Sequence, residues 1–388
     1  MRIVETGTKQ HKRTRLVRVT VAAACCLGAA LSKAKALVSL NDGHDKIYVN
    51  GTVTFSWDSN IYASKGGQGD YVMAATTGVQ YSRRAGLIGV DASVSVNASK
   101  YNRFTTEDFR NPSMSVEFTK QTGRMTGSLL FSAVRSSRAD PNANLRTQAW
   151  TYDAGLKLHY PVIDRYSLSG GVEMTSQRYE NNTALVNLNT YQADVNLFYV
   201  YSQERDLLAG VRIRKENTSA NSNAIDAAYT FGVNGRIIPK VNGSVRFGYQ
   251  TRSVTGLGAG NFNSWTADSS VTWTATKRFQ VSGTLNKDFN TTSTDASTDV
   301  LAGSLAATYA VNEHIQLGAN TGAGISRFLG TLGAGRKDTY FDYALSVNYS
   351  LNDHLKTSFQ YSYFHNWSTL AIADFIRQGY SLTVASRW

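Results

Sequence analysis

The chain has 388 residues, of which 21 are Tyr, 16 Phe and 32 Gly, with only four Pro and a formal charge of +12. Aromatic and β-branched residues suit strands, and Gly and Asn suit the turns between them, so the composition points to an all-β chain. The charge is lopsided: Arg2, Lys9, Lys12, Arg13, Arg15, Arg18, Lys33 and Lys35 face Glu5 within residues 1–36. What remains is scattered, which is no footprint for phosphate and excludes nucleic acid as a partner.

Residues 1–36 read as a cleavable secretory signal peptide. A basic start precedes the apolar run Val19–Leu31, and Ala34-Lys35-Ala36 supplies a small-x-small cleavage pattern. The run is too short to span a membrane permanently. Ala22 and Ala23 stand where a lipoprotein needs a larger aliphatic residue upstream of Cys25 or Cys26, which disfavours lipidation. Both cysteines lie in this segment, so the mature chain has no disulfide, thiol nucleophile or thiolate metal site. Residues 37–46 form a short periplasmic segment, too short for a plug domain or a secreted passenger.

From Ile47 to the end, alternation of period two dominates. Trp150, Tyr152, Ala154, Leu156, Leu158 and Tyr160 share one face, against Thr151, Asp153, Gly155, Lys157 and His159 on the other. Tyr191–Tyr199 and Phe341–Tyr349 repeat the design. Aromatics at both ends of an aliphatic middle are what a lipid-facing strand needs. Short polar turns fall near Arg84, Gly123, Ile163, Glu204, Pro239, Lys277, Asn312 and Asn352. Longer Gly-, Ser-, Asn- and Asp-rich stretches lie between them, such as 60–70, 135–145, 253–263 and 327–338. Eight turns and nine loops predict about eighteen strands in a closed antiparallel transmembrane barrel over residues 47–388, with short turns in the periplasm and long loops outside. Pro112, Pro141, Pro161 and Pro239 all fall between the alternating segments. A soluble sheet is disfavoured because its strands are shorter.

The sequence offers no catalytic, cofactor-binding or metal site, and predicts no enzyme. His44, His159, His314, His354 and His365 are dispersed, and Gly330–Lys337 lacks the helix that a phosphate loop needs. The candidate functional residues are interior charges. Asp153, Glu173 and Asp194 fall on three adjacent strands, and Arg212, Arg214, Arg236 and Arg246 point inward on the following ones. They form either a lumen charge band that selects ions or pairs across neighbouring strands, as between Asp194 and Arg214.

The final strand places Tyr380, Leu382, Val384, Ser386 and Trp388 on one face. It resembles the carboxy-terminal assembly signal of outer-membrane proteins, which implies the barrel-assembly machinery and outer-membrane lipid as partners. Size, the hairpin period of 35–41 residues and the aromatic end resemble the beta-barrel porin type 2 family. That resemblance implies a bacterial outer-membrane channel of Gram-negative type, a secreted exopolysaccharide as cargo and periplasmic polysaccharide-export proteins as partners. The residues themselves fit a general diffusion porin for small solutes equally well. A structural or surface-adhesion barrel with no transport role also remains open.

Overall fold

A computed structural model describes residues 36–388 apart from 142, 144, 181–183, 257 and 334. The expected signal peptide lies outside them, save Ala36. Among the described residues nineteen strands form one antiparallel sheet. Strand β1 is the short Val38–Leu40, and the barrel begins with β2 Asp45–Asp58, β3 Asp70–Arg83, β4 Gly89–Tyr101, β5 Phe109–Lys120 and β6 Thr126–Asp140. It continues through β7 Leu145–Ile163, β8 Tyr166–Glu180, β9 Leu188–Ser202, β10 Arg205–Thr218, β11 Asn223–Ile238 and β12 Val241–Thr255. The remaining strands are β13 Gly260–Thr274, β14 Phe279–Thr291, β15 Ser297–Ala310, β16 Ile315–Leu329, β17 Lys337–Ser350, β18 Leu355–Ser368 and β19 Phe375–Arg387.

Each barrel strand pairs with its sequence neighbour, and β19 closes on β2 from Gly379↔Asp58 to Arg387↔Asn50. Trp388 adds a last rung, exchanging backbone hydrogen bonds of 2.9 and 2.8 Å with Val49. Strand β1 folds back on the start of β2, with Val38 opposite Ile47. The expected eighteen-stranded closed barrel is therefore the fold, with one small extra strand. Closure removes the unpaired edges that hydrocarbon cannot satisfy.

The outer face is apolar and the inner face polar, as the alternation requires. Phe55, Met73, Val172, Phe231, Leu305 and Leu345 are exposed on the outside. Inside, hydroxyls pair across the ladder: Thr54 with Thr383 at 2.9 Å, Ser93 with Ser115 at 2.8 Å and Ser95 with Ser113 at 2.7 Å. At the short-turn rim two turns are built alike. Asn312 accepts the backbone N–H groups of His314 and Ile315, and the His314 ring lies 2.9 Å from the Ser350 carbonyl. Asn352 accepts those of His354 and Leu355, and the His354 ring lies 2.8 Å from the Arg387 carbonyl. These two histidines are staples of the rim.

Two expectations need correction. The stretch 60–70 is a loop up to Asp70, but the other long polar stretches begin in strand: Arg135–Asp140 belongs to β6, Ser253–Thr255 to β12 and Arg327–Leu329 to β16. The eighteen barrel strands run 12–19 residues, beyond the ~9–11 that cross a bilayer, so the hairpins extend well outside it. Pro112 and Pro161 also lie within strands, β5 and β7. Each sits where one flank has no ladder. Pairing of β5 with β6 starts only at Ser113, and pairing of β7 with β6 stops at His159. A missing N–H is tolerated there, as on any edge.

Candidate functional site

Neighbouring strands pair over most of their length, with a marked break between β13 and β14. Their ladder runs from Thr274↔Gln280 to Ala267↔Lys287 and then stops, although β13 continues to Gly260 and β14 to Thr291. Above Lys287 the end of β14 parts from β13 and carries the tip of the β14–β15 hairpin inward against β10, β11 and β12, while β15 stays paired with β16 up to Ser297↔Leu329. The turn at its tip is closed by Thr292 N–H to the Ala296 carbonyl at 2.9 Å. Gly232 and Gly248 lie on the wall beneath; a Cβ at either would overlap a backbone carbonyl of the neighbouring strand. The close approach of β11 and β12 there requires glycine.

Buried charges hold this ribbon. Arg212 donates twice to Asp288, at 2.9 and 2.7 Å, and Arg214 reaches the same carboxylate at 3.1 Å. Arg214 also donates to Asp226 at 2.8 Å and to the Phe289 carbonyl. Arg252 bridges Asp226 at 3.1 Å and Glu216 at 2.8 Å, and donates to Thr291. The Thr291 hydroxyl in turn donates to Glu216 at 2.6 Å. Three guanidinium groups meet three carboxylates, so the cluster carries no net charge. All but Arg212 are almost wholly buried, and Phe289 beside them is 0% exposed. Beyond the cluster, Ser222 donates to Asp295 at 2.6 Å and Ser293 to Asp140 at 2.8 Å. Lys287 marks the point of departure, pairing with Asp299 and donating to Ser264 at 3.0 Å.

Other loops fold inward at the same end. Ile61 of the β2–β3 loop is 0% exposed, and its carbonyl accepts from Arg146 at 3.2 Å. Ala63 packs with Phe364 and Phe375, next to Ala139 and Tyr340. Between the ribbon tip, Tyr179, Tyr340 and Asn366 a cavity of about 80 Å³ remains, room for a handful of waters.

Of the residues the sequence singles out, Arg212 and Arg214 enter this cluster. Asp194 faces Arg212 in the ladder but accepts from Asn196 at 2.8 Å, and Arg214 pairs elsewhere. Arg246 donates to Asn196 at 3.1 Å and to Ser244 at 3.2 Å. Asp153 accepts the hydroxyls of Ser132 and Thr175 at 3.0 and 2.8 Å. Glu173 sits between Gly155 and Gln192. Arg236 lies apart, pairing with Glu204 at the short-turn rim. Glu216, Asp226, Arg252 and Asp288 were not anticipated. The register could have given Asp226 and Arg252, because they lie in one row with Arg214 across β10, β11 and β12, and Glu216 is the next inward position after Arg214. Asp288 arrives from β14, four strands on from the β10 arginines it binds, and only the inward fold brings it.

Residues 218–387 match the family described as "Putative beta-barrel porin 2". Solved structures of like fold include OccK2 (OpdF) of Pseudomonas aeruginosa, at 11% identity and TM-score 0.51, covering 88% of this chain and 97% of that one. OccAB3 of Acinetobacter baumannii matches at 9% identity and TM-score 0.50, covering 89% and 99%. Pseudomonas aeruginosa OpdK, solved with vanillate, matches at 10% and 0.50, covering 88% and 99%. OccK2 has also been solved with glucuronate, at 12% identity and TM-score 0.50, covering 88% and 97%. This chain is a porin-like barrel. No curated relative matches the sequence.

Proposed function

We propose that the protein is a passive porin of a Gram-negative-type outer membrane, admitting small hydrophilic solutes through a lumen constricted at its long-loop end. The observation that carries this reading is the β14–β15 ribbon latched across the interior. A closed barrel with a polar inner face supports a water-filled path, and the ribbon with the inward loops restricts its width. A secreted polysaccharide, the cargo implied by family resemblance, would need these elements to move aside together. The size class agrees with the glucuronate and vanillate found with barrels of like fold. The neutrality of the Arg212–Arg214–Arg252 cluster favours a latch over an ion-selective band, since each guanidinium already has its carboxylate.

The test is solute-driven swelling of liposomes containing the purified barrel. Monosaccharides and amino acids should enter, and oligosaccharides beyond a few sugar units should not. Equal entry of long oligosaccharides, or loss of surface polysaccharide with normal solute uptake in a deletion strain, would replace this reading with the polymer conduit.

A further inference from the structure

On the lipid face the aromatic residues form two belts, with Trp273 and Trp265, Tyr199 and Tyr191, and Tyr160 and Tyr152 marking lower and upper members on β13, β9 and β7. The same step along the chain, taken from Ala92, Phe118 and Leu207, lands on Lys100, Arg110 and Lys215. These three side chains are exposed and share the outward faces of β4, β5 and β10 with Val94, Met114 and Ile213. They therefore lie at the outer interface, where amphipathic side chains reach the headgroups. Among the described residues none of them takes part in an ion pair. Glu180, on the outer face of β8, is already paired with Arg135.

Two of these cations are neighbours. Arg110 stands opposite Ala98 in the ladder, one outward position from Lys100. Lys100 also forms the lip of a groove of about 640 Å³ on the outer wall, whose floor includes Phe55, Trp57, Tyr71, Met73, Tyr380 and Leu382. An apolar groove at the depth of the upper belt, edged by unpaired positive charge, matches a molecule with an acyl tail and an anionic head. Charge complementarity selects phosphate, because basic residues at a lipid surface attract phosphate-bearing headgroups.

We propose that this groove binds a phosphate-bearing lipid of the outer leaflet, its phosphate held by Lys100 and Arg110 and its acyl chain lying along Trp57, Tyr71 and Met73. The site rests on the outer-membrane placement but not on what crosses the lumen, so it can fail while the swelling result stands. The loss of two cations should weaken phosphate-dependent binding about thirtyfold.

Native mass spectrometry of the detergent-purified barrel, titrated with diphosphoryl lipid A, measures this directly. The K100Q/R110Q protein should bind about thirtyfold more weakly, whereas K215Q should match the parent. Met73→Trp, which fills the groove without touching charge, should also weaken binding, and it serves if the double variant assembles poorly. Dephosphorylated lipid A should bind the parent no better than the intact lipid binds the double variant. Undiminished binding by K100Q/R110Q or by M73W overturns the proposal. So does equal affinity for the dephosphorylated lipid, or displacement of the lipid by inorganic phosphate.

Discussion

Two junctions of the barrel invite comparison. Where β19 meets β2, rungs run from Gly379↔Asp58 to Arg387↔Asn50. Where β13 meets β14, the ladder stops at Lys287 and ionic side chains take over inside the barrel. At the level of the hydrocarbon every backbone group needs a partner, so both junctions are zipped there. Above it, water can satisfy the edge of β13, and β14 is free to find partners on the inner wall. The sheet thus uses backbone pairing to close the barrel and buried charge to narrow it.

The comparison breaks most sharply at Arg214. Its replacement by Ala leaves Asp226, Glu216 and Asp288 with too little positive charge in a buried site, a loss of about 3–5 kcal/mol for such groups. Hydrogen exchange over residues 288–298 should accelerate on the order of a hundred- to a thousandfold, and single-channel conductance should rise. Unchanged protection of the ribbon would mean that the cluster does not latch it. At the closing junction the corresponding change is removal of Trp388, which contributes two backbone bonds to Val49 and a ring stacked 4.4 Å from His354. About 2–3 kcal/mol is at stake, and the heat-modifiable barrel recovered from membranes should fall several-fold while the conductance of the assembled fraction stays constant. A change in conductance would show that this junction also shapes the lumen. The smallest effect belongs to Thr54→Val, which removes one hydroxyl pair with Thr383. Its cost of about 1 kcal/mol should shift the urea midpoint slightly and leave conductance and ribbon exchange untouched.

How much of this is legible in the sequence depends on which face carries the signal. Strand number, order and closure follow from the turns near Arg84 to Asn352, because lipid permits no irregular backbone between them. Strand ends are less legible, since above the bilayer Ser, Asn and Asp build strand and loop alike, as in Arg135–Asp140. Pro112 and Pro161 mislead for a related reason: a strand that loses one neighbour can hold a proline, and the loss is not written locally. The site divides the same way. Row-mates such as Arg214, Asp226 and Arg252 are readable once the register of two hairpins is known. Asp288 is not, because nothing near it in the chain says that β14 abandons β13.

The matched turns at the rim carry a different lesson. Val311-Asn-Glu-His-Ile315 and Leu351-Asn-Asp-His-Leu355 make the same contacts, each with its histidine against the carbonyl at the foot of the next strand but one. A turn that binds only its own hairpin and the adjoining one is a self-contained joint, indifferent to how many hairpins stand elsewhere in the ring. Circumference is then free to change by copying whole hairpins, each arriving with its fastening, while the strands already present keep their partners and their register.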